Sequence, residues 1–241
     1  MDLNFIRPDK PIAKGINCLT FTSSYFKQHN VDPKKDRLIK EFQHFQDIPI
    51  QYMEQVHGDN IESVQAHNAK PKTNTDALFT TEDDIALAAL TADCMPIALS
   101  RIDGSEFSII HAGWKGLLSG ILEKSISSFT SDPSLISAWI GPSIYCKNYE
   151  VDTEFYENFI SKDKESISNF TKKDSTKWHF NLQGEAERIL KKFNVNAQTT
   201  RFCTYDSEFL YSFRKEQTQN RLVTIISVSY THLTLPTNRE V

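Results

Sequence analysis

Short apolar runs bounded by turn-forming residues recur along the chain and predict buried strands. The runs IALAAL at residues 85–90 and FSII at 107–110 contain no charged side chain, a pattern typical of strands that are covered on both faces. The other strands are predicted at residues 50–57, 96–99, 138–140, 199–204 and 222–227. The pattern therefore indicates a protein with β-structure at its core.

Apolar residues spaced three and four apart predict helices elsewhere in the chain. One helix begins at Asp32-Pro33, an N-cap residue followed by proline, and ends before Pro49. Another begins after Gly113, and two more are predicted near residues 152–160 and 182–193. The apolar faces of the first two helices are Leu38, Ile39, Phe42 and Phe45 in one, and Leu117, Leu118, Ile121, Leu122, Ile126 and Phe129 in the other.

The order of these elements predicts the fold class and the domain boundary. Strands and helices mix without strict alternation, so we expect an α+β fold over residues 1–227, a single domain with a mixed β-sheet core flanked by helices. The tail 228–241 (VSYTHLTLPTNREV) follows a strand that would make a sensible C-terminus and adds no coherent element. It resembles translated vector or adapter sequence, and we expect it to be non-native.

Composition and charge narrow the classes of function. The 241 residues carry a formal net charge of −4 and no long basic run, which argues against nucleic-acid binding through a broad electropositive face. No apolar run approaches the roughly 20 residues of a membrane span, and the N-terminus lacks a signal-peptide core. We expect a cytoplasmic monomer or small homo-oligomer that acts on a small molecule. Free thiols are expected for Cys18, Cys94, Cys146 and Cys203.

Three segments place a polar, metal-competent residue where a predicted buried strand ends. They are QVHG with His57, TADCMP with Cys94, and HAGWKG with His111. Strand ends beside glycine turns allow side chains to converge on a cleft. Two imidazoles and one thiolate suit zinc and leave a fourth position for water or substrate, which is the form of a catalytic site.

Each of these residues also has a structural interpretation. A single histidine after a strand commonly serves as a hydrogen-bonded structural residue, and a single cysteine between strands commonly packs as a small hydrophobe. The spacing of His57, Cys94 and His111 over more than fifty residues is by itself a weak signal for a metal. Both interpretations stand on the residues alone.

The complete set of motifs resembles a known family. QVHG, TADCMP, HAGWKG, IGPSI at 140–144 and CTYDSEFLYSFRKE at 203–216 occur in an order similar to that of the laccase-domain family, also called multicopper polyphenol oxidoreductases and purine nucleoside phosphorylases. The resemblance implies a zinc ion held by His57, Cys94 and His111, with copper as the alternative. It also implies phosphorolysis of adenosine, inosine and methylthioadenosine, together with deamination of adenosine.

The local chemistry around these motifs suggests further site residues. Gly113, Trp114 and Lys115 lead into a predicted helix whose N-terminus would favour phosphate, with Lys115 adding a full charge. Asp93 is a candidate general acid or base, or an orienting partner for a ligand histidine, and a turn carboxylate is its structural alternative. Arg214 is a candidate anion ligand, although a surface salt bridge is the commoner role of such an arginine.

Two departures from the family pattern concern the predicted phosphate site. Relatives usually carry arginine where Lys115 stands, and a lysine cannot form the same bidentate fork with phosphate. They also commonly have an Arg-Gly-Gly loop near the N-terminus, whereas the matching stretch here, residues 21–26 (FTSSYF), has neither arginine nor glycine.

Other functions remain open on the sequence. A His2Cys set also suits copper, as in a polyphenol oxidase, but a multicopper laccase needs a trinuclear cluster held by many histidines and the chain has only 7. A metal-free hydrolase would use Cys94 as nucleophile and His111 as base. A role in cell-wall quality control could accompany such a hydrolase.

Overall fold

The computed structural model describes residues 3–45 and 47–228. Its strands are β1 (Phe5–Ile6), β2 (Ile16–Phe21), β3 (His44–Phe45), β4 (Ile48–Gln51), β5 (Ile61–Ser63), β6 (Ala77–Thr80), β7 (Ala86–Thr91), β8 (Met95–Arg101), β9 (Phe107–Ala112), β10 (Ile136–Ile140), β11 (Glu150–Asp152), β12 (Phe170–Lys172), β13 (Lys177–Phe180), β14 (Asn196–Thr199) and β15 (Leu222–Val228). Its helices are α1 (Ser23–His29), α2 (Lys35–Glu41), α3 (Trp114–Ser119), α4 (Ile121–Ser127), α5 (Thr153–Lys162), α6 (Leu182–Lys192) and α7 (Phe213–Glu216).

The strands form two large mixed sheets and one small antiparallel sheet. The first sheet has the order β1-β2-β15-β7-β4-β3, with β7 antiparallel to β15 and parallel to β4. The second has the order β14-β10-β8-β9-β6-β5, in which the two outer pairs are parallel and the inner pairs antiparallel. The third has the order β11-β13-β12. The predicted α+β class with mixed sheets is confirmed.

The two large sheets pack face to face and bury a shared core. Because side chains alternate between the faces of a strand, Leu87 and Ala89 of β7 point toward this core, where they meet residues of the second sheet such as Ile109 and Trp139. The opposite faces are covered by helices: α1 and α2 on the first sheet, and α3 to α6 on the second. Burial on both sides explains why residues 85–90 are apolar throughout.

Because of this layering, the chain crosses from one large sheet to the other over a few residues. β7 belongs to the first sheet and β8 to the second, so residues 92–94 pass from one sheet to the other within three residues. Asp93 takes φ +88° in this crossing. Its carbonyl accepts a hydrogen bond from the Ile144 N–H at 3.1 Å, which fixes the turn against the loop after β10.

Several predicted element boundaries need correction. The helix predicted from Gly113 to Phe129 is two helices, because Gly120 takes φ +91° and ends α3 before α4 begins. The strand predicted at 50–57 is β4, which ends at Gln51. The strand predicted at 199–204 is β14, which ends at Thr199. The first predicted helix ends at Glu41, so Phe45 belongs instead to β3.

The C-terminal boundary falls at the edge of the described chain. Val228, the first residue of the proposed tail, closes β15 and pairs with Ile16. Residues 229–241 lie outside the described residues, so the prediction of a non-native tail stays a prediction. Within residues 3–45 and 47–228, none of the helices combines the length and apolar character needed to cross a membrane.

Candidate active site

His57, Cys94 and His111 meet at one end of the two large sheets although they come from three separate segments. One ligand atom from each lies within 4.8 Å of the other two. His57 is in the loop after β4 with φ +64°, Cys94 ends the crossing between the sheets, and His111 is on β9. His111 is buried, Cys94 is half-buried and His57 is exposed, so the cluster lies at the surface of the core with one side open.

A buried carboxylate behind this cluster organises two of its members. Asp76 has no exposed surface, and its Oδ1 accepts hydrogen bonds from His111 Nδ1 at 2.8 Å and from the His57 backbone N–H at 2.9 Å. Its Oδ2 accepts from the backbone N–H groups of Val56 at 3.1 Å and Gly58 at 2.8 Å. With Nδ1–H directed at Asp76, the Nε2 of His111 is the nitrogen available as a ligand.

The Gln55 amide holds the first segment in place. Its Nε2 donates to the Leu90 carbonyl at 2.7 Å and its Oε1 accepts from the Leu90 N–H at 2.8 Å. The side chain therefore pairs with the end of β7 as a neighbouring strand would. This contact anchors the loop that carries His57 to the segment that carries Cys94.

The glycines of HAGWKG are required by close approach. A Cβ at Gly113 would lie 3.1 Å from Cys94 Sγ and 3.3 Å from His57 Cδ2, and a Cβ at Gly116 would lie 2.9 Å from the Gly58 carbonyl oxygen. Any side chain at either position would push the three segments apart. Gly113 is thus part of the site, through the space that it leaves for His57 and Cys94.

The charges in the cluster depend on one another. Burial disfavours the Cys94 thiolate, but the charge of His111 and hydrogen bonds from both histidines outweigh burial and lower the pKa of Cys94 to about 6. Burial disfavours the His111 imidazolium, yet the Cys94 thiolate and Asp76 raise the pKa of His111 to about 9. Near neutral pH the metal-free protein therefore favours a thiolate next to an imidazolium.

A cavity of about 380 Å³ opens in front of the cluster. This volume is within the range of small-molecule sites, roughly 300–1,000 Å³. Its apolar walls come from both sheets and the neighbouring helices, and its polar lining includes acidic and basic side chains. The lining residues are Lys35, Gln55, His57, Leu90, Ala92, Asp93, Cys94, His111, Trp114, Ile144, Tyr149, Leu182, Phe213, Arg214 and Arg221.

Of the residues predicted at the start of the helix after Gly113, Trp114 lines the cavity and Lys115 lies on the surface. Gly113 precedes α3, and Trp114 lines the cavity while its ring packs 4.9 Å from the ring of Phe155. Lys115 is exposed and is not among the lining residues, and its Nζ lies 5.6 Å from the centre of the Trp114 ring. The expectation that Lys115 faces the cluster is corrected, because the short helix α3 turns Gly116 and Leu117 inward and Lys115 outward.

Asp93 and Arg214 both reach the cavity, where they are connected to each other. The Asp93 carboxylate accepts hydrogen bonds from Thr204 Oγ1 and from the Arg214 backbone N–H, each at 2.6 Å. Its hydrogen bonds in the described structure go to these groups, and the residue that orients the His111 ring is Asp76. The Arg214 guanidinium donates to the Glu150 carbonyl at 3.1 Å and lies over the Tyr149 ring.

Four residues of the site lacked a role in the sequence analysis: Lys35, Asp76, Tyr149 and Arg221. Asp76 precedes the apolar run ALFT of β6, and an acidic residue beside a buried strand was the available signal for it. Burial raises the pKa of the Tyr149 hydroxyl, with further contributions from Cys94 and Asp93, so this group stays protonated. Lys35 and Arg221 had no local signal, because their place in the site depends on tertiary contacts.

Comparison with known sequences identifies relatives of similar length. A protein of Escherichia coli strain K12 named purine nucleoside phosphorylase YfiH is 30% identical over 177 residues, covering 73% of this chain and 72% of the relative. A purine nucleoside phosphorylase of Campylobacter jejuni is 28% identical over 220 residues, covering 88% and 91%. One of Xylella fastidiosa strain Temecula1 is 29% identical over 182 residues, covering 72% and 70%.

Solved structures share the fold. A Neisseria meningitidis protein, NMB0706, superposes with a TM-score of 0.83 at 23% identity and covers 94% of this chain and 100% of its own. The YfiH protein of Bacillus licheniformis gives a TM-score of 0.78 at 22% identity, covering 93% and 99%. The sequence model for "Multi-copper polyphenol oxidoreductase laccase" matches residues 19–229. The chain, with its His57, Cys94 and His111 cluster, therefore belongs to this laccase-domain family.

Proposed function

We propose that this protein is a zinc-dependent purine nucleoside phosphorylase that also deaminates adenosine. The observation that carries the proposal is the convergence of His57, Cys94 and His111 on one wall of a cavity that also presents aromatic and basic side chains. The relatives that match most of this chain carry the name purine nucleoside phosphorylase, which supports purine nucleosides as the substrate class.

The cluster fits a zinc ion. Two imidazole nitrogens and a thiolate are zinc ligands, and bond lengths near 2.0–2.3 Å need ligand atoms about 3.3–3.7 Å apart, which is compatible with a cluster whose atoms lie within 4.8 Å. When bound, zinc would lower the pKa of a coordinated water and polarise a substrate atom. Copper accepts the same donor set, so analysis of the bound metal distinguishes zinc from copper.

In phosphorolysis, a phosphate oxygen forms a bond to the ribose C1′ while the bond from C1′ to the purine N9 breaks. The electron pair of that bond leaves with the base, which takes up a proton, and the products are the free base and ribose 1-phosphate. Trp114 and Tyr149 supply aromatic faces for the purine. The Asp93 carboxylate, held by Thr204 and the Arg214 backbone, is an acceptor fixed in place for a substrate hydroxyl or N–H.

Deamination uses the same cavity without phosphate. Water adds to C6 of adenosine and the amino group leaves as ammonia, giving inosine. The chain contributes a site that is walled by apolar residues, and the protonated Tyr149 hydroxyl can donate a hydrogen bond to the purine ring. One cavity can host both reactions because each acts on a different bond of the same bound nucleoside.

The test is product analysis of the zinc-loaded protein with adenosine, with and without phosphate. We expect ribose 1-phosphate only when phosphate is present, in an amount equal to adenine plus hypoxanthine, and deamination of adenosine to inosine both with and without phosphate. Inosine and methylthioadenosine should be cleaved in the same phosphate-dependent way. If all three nucleosides remain intact, the proposal is wrong, and oxygen consumption with phenols by copper-loaded protein would then support a polyphenol oxidase.

A second candidate function is a metal-free cysteine hydrolase, favoured by the thiolate–imidazolium pair of Cys94 and His111. One comparison distinguishes the two candidate functions. A hydrolase keeps its activity after chelation and loses it on thiol alkylation, whereas the zinc-dependent activity is lost on chelation and returns when zinc is added back.

A further inference from the structure

Besides the two histidines, three basic side chains line the cavity (Lys35, Arg214 and Arg221), and they differ in the bonds that they already make. The Arg214 guanidinium is held by the Glu150 carbonyl and lies over the Tyr149 ring. Arg221 uses only its Nη1, which donates to the carbonyl oxygens of Thr218 at 2.9 Å and Asn220 at 2.8 Å. Among the described residues, its Nε and Nη2 have no protein acceptor, and neither Arg221 nor Lys35 has a carboxylate within 4.0 Å.

The backbone holds Lys35 and Arg221 beside each other, although they are far apart in sequence. Lys34 and Asn220 form an antiparallel bridge, and the Arg221 N–H donates to the Pro33 carbonyl at 2.8 Å. Lys35 begins α2 directly after this bridge and Arg221 follows it before β15, so the bridge brings the two residues to the same part of the molecule. Both side chains accordingly line the same cavity.

Arg221 is a half-buried cation that has no carboxylate in direct contact among the described residues. Burial lowers the pKa of its guanidinium, and the charges of Cys94 and Asp93 offset this effect only in part. A desolvated charge without a partner is unfavourable, and an anion that enters the cavity would compensate it. The two carbonyl groups on Nη1 fix the plane of the guanidinium while its remaining donors stay free.

We propose that Lys35 and Arg221 form the subsite for the phosphate co-substrate, an inference that rests on the proposed function. The planar guanidinium of Arg221 can give two parallel N–H bonds to phosphate oxygens, and Lys35 adds a point charge. Lys115, which the sequence suggested for this role, is exposed and outside the cavity. The anion is thereby bound from the side of α2 and β15, and not from the helix after Gly113.

The first test is steady-state kinetics of variants with phosphate and nucleoside varied separately. Arg221→Ala should raise the KM for phosphate about ten-fold or more, because it removes charge-assisted hydrogen bonds, and Lys35→Ala about three- to ten-fold. The KM for the nucleoside should change less than about three-fold in both. Arg37→Ala and Lys40→Ala are matched controls, since both residues are exposed on α2 outside the cavity, and they should leave both constants unchanged.

Three outcomes would overturn the subsite. The phosphate KM could stay unchanged in both cavity variants, both constants could rise equally, or Lys115→Ala could raise the phosphate KM more than Arg221→Ala does. Should Arg221→Ala fail to fold by circular dichroism, Arg221→Lys and Lys35→Ala allow the same comparison. Arg221→Lys keeps the charge and loses the fork, so it should raise the phosphate KM less than the alanine variant would.

Direct binding of inorganic phosphate separates this inference from the proposed function. Line broadening in ³¹P NMR should show phosphate binding to the wild type and about ten-fold weaker binding to Arg221→Ala or Lys35→Ala. If phosphate binds in this way but no nucleoside is cleaved, the subsite stands and the phosphorylase proposal fails. If nucleosides are cleaved and the variants bind phosphate like the wild type, the subsite is wrong and the phosphorylase proposal stands.

Discussion

Asp76 holds His57 and His111 in place through one carboxylate. Its two oxygens accept four hydrogen bonds, three from the backbone of residues 56–58 and one from His111 Nδ1. Burial disfavours its ionised form, but the bond from His111 and those from the backbone outweigh burial and lower the pKa of Asp76. It therefore remains an acceptor near neutral pH and keeps the left-handed His57 and the His111 ring in fixed positions.

Replacing this carboxylate should weaken metal binding. Asp76→Asn keeps the size of the side chain but loses the charge and one acceptor, and partners of ligand histidines typically contribute about 10- to 100-fold to metal affinity. Competition with a chromophoric chelator should show a zinc affinity lower by that factor. Asp103→Asn, at an exposed turn, is the control. Equal zinc affinity in wild type and Asp76→Asn would show that the carboxylate does not position the ligands.

In the metal-free protein, the alkylation rate of Cys94 should follow the ionisation of its thiol. Only the thiolate is alkylated, and the pKa of Cys94 is about 6, below the usual value of 9.0. The rate of alkylation by iodoacetamide should therefore fall as the pH drops below about 6 and be nearly flat above pH 7. Burial raises the pKa of Cys18 and Cys146, so these thiols should react slowly at neutral pH. Peptide mapping assigns the fast site, and Cys94→Ser should lack it. A midpoint near pH 9 would contradict the described electrostatics.

At the scale of elements, the site depends on where strands and short helices end. His57 follows β4, Cys94 lies between β7 and β8, and His111 is on β9, so three element ends create the cluster. Gly120 ends α3 in the left-handed region and α4 begins directly after it, so the chain turns between the two short helices.

A side chain at Gly120 should destabilise the turn between α3 and α4. Gly120→Ala places an L-residue at φ +91°, and the left-handed region costs about 1–2 kcal/mol for such residues. Urea unfolding should show that loss in the free energy of unfolding. Ser119→Ala, at the exposed preceding residue, should stay within about 0.5 kcal/mol of the wild type. A Gly120→Ala protein as stable as the wild type would mean that the turn is not strained by a Cβ.

Sequence patterns predicted the central buried strands because these depend on local signals, whereas metal binding by His57, Cys94 and His111 stays a prediction. The apolar runs became β7, β8, β9 and β10, and their ends carried Cys94 and His111 as expected. Lys115 was assigned to the site because it follows Gly113 in the motif, but it lies on the side of α3 away from the buried Leu117 and is exposed. Arg221 was assigned no role from the sequence, since its place in the cavity depends on the contact between residues 33–34 and 220–221, which no local pattern encodes.

At the scale of the whole molecule, the cavity is lined by residues of both large sheets. The first sheet contributes Leu90, the second contributes His111, and the crossing between them contributes Asp93 and Cys94. A ligand bound here contacts segments from both sheets. Binding of a metal ion to the folded state alone should accordingly stabilise the molecule as a unit, by an amount that grows with the logarithm of metal concentration.

Activity as a function of bound zinc tests the central claim most directly. Metal-free protein is titrated with zinc, and adenine release from adenosine in saturating phosphate is measured together with the metal content of each sample. We predict that activity rises linearly and stops at about one zinc ion per chain, and that Cys94→Ala shows neither the bound ion nor the activity. Full activity in the metal-free protein, or zinc bound at one equivalent without any adenine release, would contradict the account.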